Sequence, residues 1–149
     1  IIARIDRVDQ LICGDKMIVD YKTGLASTAS WFSNRPEAMQ MPIYALLNSD
    51  AKSICFAQVQ ADVDKSCKYQ GVSQKDLLVK GIKKVNEGVT KDANCNTWDD
   101  LVSNWDEIAL SAVNDFKLGA SEVDPKVEAK SCQYCDYKRL CRVSEESIG

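Results

Sequence analysis

Two runs rich in β-branched residues, separated by a short polar turn, open the chain. Residues 1–9, IIARIDRVD, and residues 16–22, KMIVDYK, both read as strands, and Asp9, Gly14 and Asp15 mark the turn between them. So short a connection makes the pair an antiparallel hairpin. The hairpin dictates which side chains meet. A strand alternates its faces with period two, so Asp20 and Lys22 of the stretch IVDYKTG point the same way. Asp6, on the first strand, comes within reach of them, because cross-strand neighbours on one face lie about 4.5 to 5.5 Å apart. Asp9 is three residues from Asp6 and faces away, so it stays outside the group.

Two carboxylates at that separation can share one hard cation, and oxygen ligands are what Mg²⁺ prefers. Lys22 then points at whatever the metal holds. A phosphate is the natural guest, since the ion polarises it and an ammonium stabilises the charge that develops. The plainer alternative is a surface ion pair between Asp20 and Lys22, which contributes little.

The remaining chemistry is limited by what the chain lacks. Among 149 residues there is no histidine, which removes HExxH zinc sites, Ser-His-Asp triads and Cys-His proteases. The net charge of −3 argues against a generic basic nucleic-acid binder but leaves room for carboxylates at a metal site. No stretch approaches the roughly 18 to 20 continuous apolar residues of a membrane span. The opening IIARIDRVDQ has neither an initiator Met nor a charged lead before an apolar run, so a piece of a longer protein is expected, without a signal peptide. The seven cysteines are odd in number and the first four are scattered, which argues against a secreted disulfide framework and for a cytoplasmic protein with mostly reduced thiols.

Further along, residues 37–49 read as a helix with Met39, Ile43, Leu46 and Leu47 on one stripe and Pro42 near its start. Residues 53–61 alternate as a strand, residues 66–72 suggest another, and residues 74–88 a helix ending at Gly88. Residues 97–118 make the clearest helix. Thr97 is its expected N-cap, Asp99 and Asp100 lie in the first turn and Gly119 follows its end. Its apolar stripe runs from Trp98, Leu101, Val102 and Trp105 through to Phe116. This mixture predicts an α/β domain built on a small mixed sheet flanked by helices, in one domain over 1–149.

The tail, residues 130–142, contains SCQYCDYKRLCR. Cys132, Cys135 and Cys141 are spaced x2 and x5, as in thiolate sites for Zn²⁺ or an iron–sulfur cluster. Such sites usually take four ligands. The fourth is expected from Cys13, Cys55, Cys67 or Cys95, or from beyond the chain. The alternatives are reduced thiols in a small helical turn, or contacts to nucleic acid through Tyr134, Tyr137, Lys138 and Arg139.

In order, ARIDRVD, IVDYKTG, QMPIY and CQYCDYKRLC resemble the PD-(D/E)XK nuclease superfamily in its RecB-like branch. The resemblance extends to the nuclease domains of AddB-type helicase–nuclease subunits and related bacterial DNA-repair proteins, and covers nearly the whole chain. It implies a restriction-endonuclease-like fold. Asp6 matches the acid of G-x-[IV]-D-R, with Ala3 where glycine is common, and Asp20 and Lys22 match D-x-K. The backbone carbonyl of Tyr21 is implied as a further metal ligand. Gln40 and Tyr44 match Q-x3-Y and are implied to bind DNA or orient the site; without the resemblance, Tyr44 reads as core and Gln40 as solvated. Cys132, Cys135 and Cys141 match three of four ligands of a 4Fe–4S cluster. The branch also has an upstream helix bearing a metal ligand and an upstream cluster cysteine, and the absence of both here fits an excised piece.

The expectation is thus a deoxyribonuclease of exonuclease type, dependent on Mg²⁺ or Mn²⁺, acting in DNA repair or recombination beside a helicase. Its rivals are a non-catalytic DNA-binding or subunit-docking domain of the same fold, and a zinc-stapled interaction domain without DNA affinity.

Overall fold

The computed structural model describes residues 3–59, 67–88, 95–126 and 128–141. The chain divides into two units, residues 1–111 and 112–149.

The first unit is built on a five-stranded mixed sheet in the order β1-β2-β3-β4-β5. The expected hairpin forms it first. β1 (Arg7–Gln10) pairs antiparallel with β2 (Lys16–Lys22), with Arg7 opposite Val19 and Gln10 opposite Lys16. The strand read over 1–9 is therefore shorter and shifted, and Asp6 sits at a bend just before it. The cause is local. The Asp6 carboxylate accepts the N–H of Tyr21 at 3.1 Å, so a side chain takes the donor that another ladder step would have used. After β2 the chain crosses over through α1 (Gln40–Leu46) and returns as β3 (Ala51–Gln58), parallel to β2. β4 (Lys68–Ser73) pairs antiparallel with β3, and β5 (Ile82–Lys84) parallel with β4.

Two expectations are corrected here. The helix over 37–49 shrinks to α1, because the N–H groups of Glu37 and Ala38 are held by the Ser30 carbonyl. Its buried side is Met41, Tyr44 and Ala45, whereas Leu47 is exposed. The helix over 74–88 is replaced by a turn, β5 and a single-turn α2 (Val85–Gly88). Asp76 caps the N–H of Leu78, Leu78 and Gly81 take positive φ, and Gly71 donates its N–H to the Gly81 carbonyl. Those bonds fold residues 74–81 back along the edge of β4, where an exposed helix would have left the edge bare. The strands read over 53–61 and 66–72 form as β3 and β4; residues 60, 61 and 66 lie outside the described part.

Both sheet faces are apolar. One carries Ile18, Ile54, Phe56 and Val72 against Trp31, Met41, Trp98, Leu101 and Trp105. Aromatic contacts dominate there: the Trp31 and Phe56 ring centroids are 4.7 Å apart, and Trp105 Nε1 donates to the Trp31 carbonyl at 3.0 Å. The other face is smaller, with Met17, Val19, Cys55, Ala57 and Ile82. A sheet apolar on both faces explains why β2 reads as a nearly continuous hydrophobic run. The exception is Asp20, 3% exposed.

α3 (Trp98–Leu118) begins as expected. Asp100 N–H bonds the Thr97 hydroxyl and the Asp100 carboxylate accepts from Thr97 N–H, a reciprocal cap that holds its carboxyl below the usual range. Trp98, Leu101 and Trp105 are buried.

In the second unit, α3 ends at Gly119 (φ +74), where Ala120 N–H reaches the Asp115 carbonyl. Here the apolar stripe is open, with Val113 and Phe116 exposed. Two single turns follow, α4 (Glu128–Ser131) and α5 (Lys138–Cys141). No helix among the described residues is long and apolar enough to cross a membrane.

Candidate active site

The hairpin register, continued one step beyond Arg7 and Val19, puts Asp6 opposite Asp20. Asp6 itself lies at a bend outside the strand, and its carboxylate takes the N–H of Tyr21, the residue after Asp20. Lys22, two residues along β2, shares the face of Asp20, and its Nζ stands 2.8 Å from Asp20 Oδ2. The contact is charge pairing without hydrogen-bond alignment: buried Asp20 Oδ2 has no hydrogen-bond donor. A buried carboxylate oxygen left bare is costly unless a charge compensates it.

Lys22 is held from three directions. Asp20 is the first and Gln40 Oε1, 3.1 Å from Nζ, the second. The Phe56 ring is the third, its centroid 5.5 Å from Nζ. Gln40 and Tyr44 sit one turn apart on α1. Gln40 Nε2 donates to the Tyr44 hydroxyl at 3.0 Å, and that hydroxyl donates to the Arg4 carbonyl at 2.6 Å. Every donor in this series finds an acceptor, so the amide of Gln40 has a single consistent orientation. Arg4 is two residues before Asp6, and Asp6 is bonded to Tyr21 beside Lys22. The bonds thus close a ring around both carboxylates, running β2–α1–Arg4–Asp6–β2.

Tyr21 contributes its backbone. Its N–H goes to Asp6, so strand geometry directs its carbonyl to the same side, toward β1. Its side chain lies on the opposite face, where the phenol accepts from Arg7 at 3.1 Å and Arg7 Nε pairs with Asp9 at 2.6 Å. Asp9, then Tyr21, hold the Arg7 guanidinium above its usual range. Asp9 is accordingly on the far side from Asp20, as alternation requires.

Sequence reasoning brought Asp6, Asp20, Lys22, Gln40 and Tyr44 together. It missed Phe56, which lies beside Asp20 only through the β2–β3 register, and the Arg4 carbonyl, which has no side-chain signature. It also missed Gln58. That buried side chain, in register with Lys22, donates to the carbonyls of Gly24 and Ala26, both at 3.3 Å, and so ties down the loop leaving β2.

The oxygen donors in this group fit a hard divalent cation: the carboxylates of Asp6 and Asp20, the latter facing only the Lys22 ammonium at Oδ2, and the Tyr21 carbonyl directed toward β1. The tail is different. Cys132, Cys135 and Cys141 are free thiols in the second unit, with Cys135 exposed. Cys135 N–H bonds the Cys132 carbonyl, and Cys141 N–H the Tyr137 carbonyl. Among the described residues no three or more Cys, Asp or Glu side chains are gathered to hold a metal. Tyr134 and Tyr137 are exposed, and the side chains of Lys138 and Arg139 lie outside the described part.

The family model described as the PD-(D/E)XK nuclease superfamily matches residues 1–142. The chain therefore belongs to the PD-(D/E)XK nuclease superfamily, and its mixed five-stranded sheet with helices is a restriction-endonuclease-like α/β fold. Membership implies nuclease activity, with DNA as the class of substrate and a divalent metal such as Mg²⁺ as the usual cofactor. No curated protein matches the chain.

Proposed function

We propose that this chain hydrolyses DNA phosphodiester bonds with Mg²⁺ or Mn²⁺ at Asp6, Asp20 and Lys22. The observation that carries this reading is the buried Asp20 carboxylate, whose Oδ2 faces the Lys22 ammonium at 2.8 Å and has no hydrogen-bond donor. Asp6, Asp20 and the Tyr21 carbonyl are the ligands. A divalent ion bound there supplies a Lewis acid that polarises the phosphate and eases deprotonation of the attacking water.

The protein's own residues do the rest. Lys22 orients the attacking water and stabilises the negative charge that builds on the phosphorus-bound oxygens. Asp20, Gln40 and Phe56 keep its ammonium in one place, so that charge needs no reorganisation when it is required. Gln40 and Tyr44 act through Lys22 and Arg4 as positioning residues. Exonuclease-type cutting in repair beside a helicase, and a 4Fe–4S cluster on Cys132, Cys135 and Cys141 completed by a further ligand, rest on the motif resemblance alone.

The test is cleavage of labelled single- and double-stranded DNA by the wild-type chain and by Lys22→Ala, each with Mg²⁺ or Mn²⁺. We expect loss of about two to four orders of magnitude in the variant, the scale of removing a preorganised charge. Equal cleavage by the two would refute the assignment. Metal-independent binding with no cleavage by either would favour a DNA-binding domain of the same fold.

A further inference from the structure

β5 covers only half of its neighbour. It pairs with Gly71, Val72 and Ser73, so among the described residues Lys68, Tyr69 and Gln70 of β4 have β3 on one side and no strand on the other. A recess of about 410 Å³ opens beside these residues, lined by Cys67, Lys68, Tyr69, Gln70 and the loop Val79, Lys80 and Gly81. The loop comes close because residue 81 is glycine: with φ +94, a Cβ there would stand 1.8 Å from the Tyr69 carbonyl oxygen. Gly71 gives its N–H across this edge to the Gly81 carbonyl at 3.0 Å. Residues two apart present their backbone groups to the same side, so the N–H of Tyr69 also points into the recess.

Among the described residues neither Lys68 nor Lys80 has an acidic partner. Two ammonium groups and a backbone donor at one recess form an anion site of the kind that takes phosphate.

Register ties this recess to the candidate active site. Lys22, Gln58 and Lys68 stand in one row across β2, β3 and β4, with side chains on one face. Gln70, lining the recess, donates to Gln58 Oε1 at 3.3 Å, and Gln58 anchors the loop after Lys22. Two strand spacings separate Lys68 from Lys22, about 10 Å. That is a span a short run of nucleotides covers.

We propose that this recess is a second phosphate subsite, in which Lys68, Lys80 and the Tyr69 N–H receive a backbone phosphate of the strand being cut, flanking the phosphate at Asp6, Asp20 and Lys22. The inference rests on the nuclease reading above. The subsite reads no base, so it sets affinity and strand placement without regard to sequence.

The test measures DNA affinity by fluorescence anisotropy in EDTA, across a salt series. The proteins are wild type, Lys68→Gln/Lys80→Gln, and Lys16→Gln/Lys75→Gln, which removes equal charge at residues already paired with Asp50 and Asp15. Lys22→Ala cleavage is measured alongside. We expect the first pair to weaken binding roughly tenfold and to make the salt dependence shallower by about one to two units of slope, with the control pair near wild type. Bound DNA should also slow alkylation of Cys67, a readout that needs no variant. A first pair matching the control, or unprotected Cys67, overturns the subsite; if Lys22→Ala still abolishes cleavage, the nuclease reading survives. A wild-type chain that neither binds nor cuts DNA overturns both.

Discussion

Lys22 Nζ lies 3.1 Å from Gln40 Oε1, and that contact joins the end of β2 to the first residue of α1. The residues are distant in sequence and belong to elements of different type. Their meeting turns a strand motif and a helix motif into one site, because Gln40 passes the connection through Tyr44 to the carbonyl beside Asp6. Lys22 placement therefore depends on α1.

Tyr44→Phe tests that dependence. Tyr44 is buried, and the substitution leaves its ring in place but deprives the Arg4 carbonyl and Gln40 Nε2 of their partner. An unpaired group of this kind costs about 1 to 3 kcal/mol. The expected result is a kcat lowered roughly tenfold with KM for DNA little changed, since the loss falls on Lys22 geometry. Gln40→Ala should do the same. A KM effect alone would assign these residues to substrate binding.

Cysteine reactivity should divide by burial. Burial first, and the Asp9 carboxylate second, push the Cys55 thiol up to about 12. Alkylation at pH 8, mapped by mass spectrometry, should modify exposed Cys13, Cys67 and Cys135 and spare Cys55. The same shift sets a sign for stability. The folded state keeps the Cys55 proton when the unfolded state has lost it, so this contribution is complete below pH 9 and declines as pH rises toward 12.

Gly81→Ala is expected to destabilise the first unit by roughly 2 kcal/mol or more, combining a positive φ with a clash against the Tyr69 carbonyl. Denaturant unfolding measures it directly. An unchanged midpoint would mean that the 79–81 loop does not lie against β4.

The tail makes a prediction of its own. If Cys132, Cys135 and Cys141 contribute to an iron–sulfur cluster, protein purified without oxygen carries iron, sulfide and visible absorption that Cys135→Ser removes. Zinc with no colour would identify a zinc staple. Metal-free thiols in both proteins would leave the tail as a short helical turn.

The sequence held more of the candidate site than of its surroundings. Alternation in IVDYKTG was enough to set Asp20 beside Lys22, and the brief turn at Gly14 was enough to form the hairpin that carries the Asp6 carboxylate to the N–H of Tyr21, because both follow from local geometry. The α3 boundaries were legible for the same reason, as Thr97, Asp100 and Gly119 bond within a few residues of themselves. What failed depended on distant partners. The stretch 74–88 has helical composition, yet the open edge of β4 captures it as β5 and a turn. The stripe predicted for α1 missed because the helix packs on β3 and β2, and those strands decide which of its sides is buried. Phe56 under Lys22 needed the parallel β2–β3 register, which no local pattern announces.

The most direct test of the central claim is cleavage of labelled DNA with Mg²⁺ by the wild-type chain and by Asp20→Asn, with both shown by circular dichroism to be folded. Asparagine keeps the shape and removes the charge that a divalent ion needs at Asp20. The account predicts cleavage by the wild type and a loss of at least about a hundredfold in the variant. Equal cleavage by the two folded proteins would contradict it, and the Asp20–Lys22 pair would then be a structural ion pair only.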